Sequence, residues 1–306
     1  MPRWLDYIFI LRPILYFPVW TYYLAGYWGG GNTIFHPELW RICSAFLTGL
    51  PLTLAVGSVF IFNQLKDIDT DRINGKLFLI SEGIVPLRAA YVEAAVLAAV
   101  SLAAALLIGV ETGLLIAVLL AVSGWCYNYP PFSWKNHPFM GIFTNAAAGM
   151  IIYNLGWIAG GGEVFFPPRA AAYGLAGAAV YLNTTLPDRQ GDAETGKRTF
   201  GVVYGTVVTA RWALILEICM IGAAALTGDH LLFICGLIML PFFIYSGVTA
   251  REKEVVRSTK YSVTVLAAAV GVLYPLYAIL IAAVFIISKW YYKKKFNLCY
   301  PSLKNE

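Results

Sequence analysis

The sequence predicts an all-α, polytopic membrane protein, a bundle of nine transmembrane helices with a cytoplasm-facing cavity, built as one domain over residues 1–306. Three observations predict it. The composition is 59% hydrophobic and 13% charged, with mean hydropathy +0.68, against roughly 25% charged in ordinary globular domains. Apolar runs of about twenty residues recur along the whole length, the span that a bilayer requires of a helix. Basic residues gather in alternate loops, as the positive-inside rule demands.

Apolar windows place the nine helices at roughly 7–28, 43–66, 88–109, 113–129, 139–160, 170–187, 206–226, 231–249 and 262–288. Pro275 falls inside the last, where a kink is expected. Trp4, Trp28, Trp40, Trp134 and Trp290 fall near predicted ends and read as an interfacial aromatic belt. Asp6 and Arg12-Pro13 interrupt the first apolar stretch, which argues against a cleavable signal. One set of loops carries Lys66, Arg72, Lys76 and Arg88, then Lys135, then Arg189, Lys197, Arg198 and Arg211, then Arg251, Lys253, Arg257 and Lys260. The other set carries Arg41 and Arg169. The first set and the N-terminus with Arg3 are therefore expected in the cytoplasm. Nine helices then put the tail, with Lys289, Lys293, Lys294, Lys295 and Lys304, outside.

Two acidic clusters close apolar runs. Asn63, Asp67 and Asp71 are spaced i, i+4, i+8, and Asp188 and Asp192 repeat the i, i+4 step. On a helix this spacing stacks oxygen ligands along one face and turns Asp69 away from it. Carboxylates at helix C-termini meet the negative end of the macrodipole and call for cations. Oxygen-only ligands suit Mg²⁺, which bridges carboxylates to substrate phosphates. Lys66, Arg72, Lys135, Lys197 and Arg198 lie in the same loops, where they can meet phosphate oxygens. The ordinary alternative is a set of solvated residues ending helices. It suits either cluster alone better than two spaced clusters on one face. The five cysteines show no CxxC pair and the three histidines (His36, His137, His230) share no ligand spacing, so they read as packing or interfacial residues.

With these motifs the chain resembles the UbiA superfamily of intramembrane prenyltransferases, which has nine helices and two cytoplasm-facing motifs, N-x-x-x-D-x-x-x-D and D-x-x-x-D. Asn63, Asp67 and Asp71 match the first, and Asp188 and Asp192 the second. Arg12-Pro13 is similar to the family's early Arg-Pro. Tyr127 through Lys135 follows its Tyr-Ser-x-Pro-Pro-x-x-x-Lys segment with Asn128 for Ser, and Gly196-Lys197-Arg198-Thr199 follows its Gly-Lys-x-Thr stretch. The family's common Asn-x-Pro after the first motif is here Asn74-Gly75-Lys76.

The resemblance implies an integral membrane enzyme of the cell or inner membrane. It implies Mg²⁺ held by Asn63, Asp67, Asp71, Asp188 and Asp192, and an isoprenyl diphosphate met by Arg12, Lys66, Arg72, Lys197 and Arg198. Tyr127 and Lys135, as the catalytic pair, are implied with Lys197 and Arg198 near the diphosphate or the reacting carbon. The other partners implied are a hydrophobic acceptor and the lipid bilayer, with no nucleic acid and no obligatory protein partner. Ser133 stands where the 4-hydroxybenzoate enzymes often carry a basic residue. A neutral or quinol-like aromatic, or a hydrophobic alcohol, is therefore the expected acceptor. Two rivals use similar residues. A CDP-alcohol phosphotransferase carries D-G-x-x-A-R, which this sequence lacks. An ion-coupled transporter places its acids near the membrane midplane.

Overall fold

The computed structural model describes residues 2–31, 39–75, 78–298 and 300–301, with the side chains of 39–42 excepted. His36, Lys76, Cys299 and Lys304 lie outside the described residues. Within them every regular element is helical: α1 (Trp4–Phe9), α2 (Tyr16–Gly30), α3 (Leu39–Thr48), α4 (Leu50–Lys66), α5 (Ile68–Ile73), α6 (Phe78–Ser81), α7 (Leu87–Ile108), α8 (Val110–Leu119), α9 (Pro138–Ala159), α10 (Arg169–Thr184), α11 (Arg189–Glu194), α12 (Phe200–Thr227), α13 (His230–Thr249), α14 (Glu252–Leu273) and α15 (Pro275–Phe296). Seven stretches are long and apolar enough to cross a membrane, and Val110–Cys126 is a shorter apolar eighth. Arg169–Thr184 falls below that length. It packs between α9 and α12, where a helix surrounded by protein needs no apolar face toward lipid.

Breaks in the helices follow from local chemistry. Arg12 takes a left-handed conformation, φ 55°, and Pro13 starts a 3₁₀ turn behind it, so the first span divides between α1 and α2. Gly228, at φ 69°, closes α12, and the Asp229 carboxylate then accepts the Leu232 N–H at 2.9 Å to start α13. A side-chain oxygen in that position satisfies a donor that the helix leaves unpaired. α2 and α9 meet backbone to backbone: a Cβ at Gly26 would lie 2.0 Å from the Tyr153 carbonyl oxygen, and one at Gly156 would lie 1.8 Å from that of Tyr23. Small residues permit such contact where lipid supplies little hydrophobic drive between helices.

The expected ninth helix is two. α14 ends at Leu273, Tyr274 leaves helical geometry, and Pro275 begins α15. Proline cannot continue the α14 hydrogen-bond ladder, but it fits the first turn of a new helix. α15 then returns along the first span. The Tyr277 hydroxyl bonds the Phe17 carbonyl, while Tyr291 and Lys295 reach the buried Asp6 carboxylate. Phe9 and Tyr291 stack with ring centroids 3.6 Å apart. The end of α15, with Lys293 to Lys295, expected on the opposite face, therefore lies beside the N-terminal helix, because the apolar window at 262–288 hid a reversal.

Candidate functional site

Asn63 sits in the last turn of α4, and the helix breaks at Asp67, whose φ of −106° and ψ of 15° separate α4 from α5. Asp71 follows in α5. The first motif thus folds around a bend and does not run along one continuous face. Beyond α10, Pro187 precedes Asp188, which begins α11, and Asp192 is buried within α11. Asp67 both closes α4 and precedes α5, so it meets the negative end of the long α4 dipole as expected, whereas Asp188 stands at the start of α11. α5 and α11 pack together. Thr70 and Thr195 share a hydrogen bond of 3.1 Å, and the Gly191 N–H donates to Asn74 Oδ1 at 3.2 Å. A Cβ at Gly191 would lie 2.5 Å from that oxygen, so glycine is what allows the latch.

A third segment completes the cluster. After α8 the chain winds through a π-helical turn over Leu120–Cys126, a cis Pro130-Pro131 bond, a left-handed Ser133 and a 3₁₀ turn at Trp134–Asn136. This path brings Lys135 inward to 5% exposure. Lys135 Nζ and Lys197 Nζ each lie 2.6 Å from Asp67 Oδ1, and Lys197 Nζ lies 3.4 Å from Asp192 Oδ1. Asn63 Nδ2 donates to Asp67 Oδ2 at 2.9 Å and to Asn128 Oδ1 at 3.0 Å, and Lys135 Nζ reaches the same Asn128 oxygen at 3.3 Å.

Burial alone raises the Asp67 pKa, but the two ammonium groups outweigh it and hold the carboxyl below its usual range. Burial lowers Lys135 despite Asp67. It also opposes the charged form of Lys197, where the attraction of Asp67 and Asp192 prevails and raises the pKa. Burial raises Asp71 to about 7, aided by the negative charges of Asp67 and Asp188 and opposed by Arg12 and Lys197. Burial likewise raises Asp192, against the pull of Lys197.

Arg12 lies within electrostatic reach of Asp71, with its guanidinium carbon 5.9 Å from the centre of the Phe60 ring. Tyr127 lies beside Tyr181, within electrostatic reach of Asp67 and Asp192. Three expected phosphate ligands are not brought into the cluster. Lys66 is exposed and lies over the Tyr129 ring at 5.6 Å. Arg72, one residue past Asp71 and so about 100° around the helix, pairs with Asp69 at 3.6 Å and donates to the Ser81 carbonyl at 2.9 Å. Arg198 is exposed beside the inward Lys197, as neighbours in a non-helical stretch face opposite ways. Asp69 is 84% exposed at its side chain. Asn128, Asn74 and the Thr70–Thr195 pair carry no charge, and spacing alone did not single them out as parts of the site.

Among the described residues no three Asp, Glu, His or Cys side chains gather at one point. The acids form two facing pairs, Asp67 with Asp71 and Asp188 with Asp192, whose charges bear on one another across the gap. Crowded carboxylates with oxygen-only donors fit hard divalent cations that keep several waters.

The sequence matches the profile of the UbiA prenyltransferase family over residues 19–260. The bacteriochlorophyll synthase 34 kDa chain of Chloroflexus aurantiacus is 26% identical over 225 residues, covering 70% of each chain. A UbiA homologue from Archaeoglobus fulgidus superposes with a TM-score of 0.68 at 21% identity, over 91% of this chain and 98% of that one. The same homologue bound to GPP and Mg²⁺ gives a TM-score of 0.66 at 20% identity, over 87% and 99%. With the profile spanning most of its length and the helical bundle shared with solved members, the chain belongs to the UbiA prenyltransferase family and is a membrane-embedded prenyltransferase.

Proposed function

We propose that this chain, acting as one domain, transfers an isoprenyl group from a prenyl diphosphate to a hydrophobic acceptor with Mg²⁺ as cofactor. The observation that carries this reading is the meeting of Asp67, Asp71, Asp188 and Asp192 with Lys135 and Lys197 at one end of the bundle. Asn63, Asp67 and Asp71 would hold one ion, and Asp188 and Asp192 another. When bound, the ions supply charge neutralisation on the departing diphosphate. Lys135, Lys197 and Arg12 add fixed positive charge on the same group. The allylic carbon–oxygen bond breaks with its electron pair leaving on the diphosphate. An electron pair of the acceptor forms the new bond, and the proton that the acceptor gives up passes to the released diphosphate. The Tyr127 ring offers an aromatic face to the cation-like carbon.

The charge pattern of the loops supports a cytoplasmic site and N-terminus. The acids sit at helix ends and not at mid-span, which favours phosphate chemistry over ion-coupled transport. For the acceptor, Ser133 supports a quinol-like aromatic or a hydrophobic alcohol, and the likeness to a bacteriochlorophyll synthase supports a chlorophyll-type pigment precursor. The test incubates purified protein with radiolabelled prenyl diphosphates, a panel of these acceptors and Mg²⁺. Acceptor-dependent diphosphate release, absent in Asp71→Ala and Asp188→Ala, is expected. Equal release from the wild type and both variants would overturn the proposal.

A further inference from the structure

The π-helical turn at Leu120–Cys126 ends one residue before the Tyr127 N–H, which reaches back five residues to the Val122 carbonyl. Widening the turn in this way frees carbonyl oxygens from the ordinary ladder. Asn128, at 0% exposure, takes two of them: its Nδ2 donates to the Ser123 carbonyl at 3.2 Å and to the Gly124 carbonyl at 2.9 Å. A backbone carbonyl only accepts, so the orientation of the Asn128 amide is decided by the backbone. Its Oδ1 must point the other way, and there it accepts from Asn63 Nδ2 and from Lys135 Nζ.

The consequence passes to Asn63. Its amide nitrogen carries two hydrogens, and both are engaged, one by Asp67 Oδ2 and one by Asn128 Oδ1. The Asn63 carbonyl oxygen is thereby turned away from both acceptors. We infer that Asn128 is a positioning residue: it fixes the Asn63 amide so that Oδ1 is presented as an oxygen ligand to the divalent cation. The inference rests on the proposed metal-dependent reaction and adds to it a residue that touches neither metal nor substrate. Residues that orient ligands in this way typically change metal affinity about ten- to a hundredfold when removed.

The test measures Mn²⁺ binding by electron paramagnetic resonance in the presence of inorganic pyrophosphate, with detergent melting curves alongside. Asn128→Leu keeps the branched shape, in a somewhat larger side chain, and removes the amide. It is expected to weaken Mn²⁺ binding about tenfold or more, with turnover recovering as Mg²⁺ is raised. Asn128→Ala reports the same shift should leucine disturb folding. The decisive arm is the double variant. Asn63→Ala combined with Asn128→Leu should bind Mn²⁺ no more weakly than Asn63→Ala alone, because both changes remove one oxygen ligand. A purely structural role lowers the melting temperature and gives additive losses, and that result would overturn the inference. So would unchanged affinity in both single Asn128 variants while Asp71→Ala loses the metal, a result that leaves the proposed reaction standing. Failure of the wild type to bind Mn²⁺ overturns both.

Discussion

Asp67 accepts two ammonium groups on one oxygen and an amide on the other, so its replacement removes more than a metal ligand. Asp67→Ala leaves Lys135 and Lys197 buried without their shared counter-charge. Breaking such a buried pair from one side costs about 3–5 kcal/mol. A lowered detergent melting temperature is expected together with lost turnover, and a wild-type melting curve would show that the pair carries little stability. Asp69→Ala should be silent in both measurements, since an exposed pair one turn apart contributes under about 1 kcal/mol. Asp71 ionises near pH 7, and the sign of its pH effect follows directly. Below that value its carboxyl is protonated and a cation must displace the proton; above it the carboxylate is ready. Mn²⁺ affinity should therefore fall about tenfold for each pH unit below 7 and level off above. Calorimetric titration from pH 5.5 to 8.5 checks this, and a flat profile would contradict it. At this scale the acids were legible in the sequence because helical spacing exposes them. Loop position did not separate Lys197 from Lys66, Arg72 and Arg198, and Lys135 was set apart by the family resemblance alone, since the bends at Asp67, Ser133 and Gly196 decide which charges turn inward.

The elements show the same division between pattern and path. Apolar windows revealed nearly every span, but at 262–288 the residues on both sides of Tyr274-Pro275 are apolar, so hydropathy carries no mark of the reversal. The lysines after Ile287 did mark it, since their charge belongs with the basic loops. α15 brings Lys295 and Tyr291 onto Asp6, and the exposed Asn297 beyond it should share a face with the exposed Lys253. Single cysteines at Asn297 and Lys253 are expected to react with an impermeant thiol reagent from the same side of sealed vesicles, and one at Glu163 from the other. Asn297 labelling with Glu163 would mean that α15 does not return through the bilayer.

The whole molecule decides what the acceptor can be. Lys135, Lys197 and Arg12 meet at one end of the bundle and are already engaged there: Lys135 pairs with Asp67, Lys197 with Asp67 and Asp192, and Arg12 lies within electrostatic reach of Asp71. The diphosphate is the natural claimant for those charges. Ser133 occupies a left-handed turn, its N–H bonded to the Tyr129 carbonyl at 2.9 Å, and it has no charge to lend. Lys66, Arg72 and Arg198 stand in solvent, where an ion pair is worth little. A benzoate carboxylate drawn into the bundle would therefore lose hydration without gaining a charge-assisted bond, which is worth roughly 1.5–3 kcal/mol. That difference amounts to about a tenfold to hundredfold preference for an uncharged aromatic over 4-hydroxybenzoate. Competition between 4-hydroxybenzoate and a dihydroxy-aromatic at fixed prenyl diphosphate measures it as a ratio of kcat/KM. Introducing Ser133→Arg should narrow the ratio by supplying the missing charge. A wild-type preference for 4-hydroxybenzoate that Ser133→Ala leaves intact would mean the carboxylate is read by another group, and the acceptor assignment would fall.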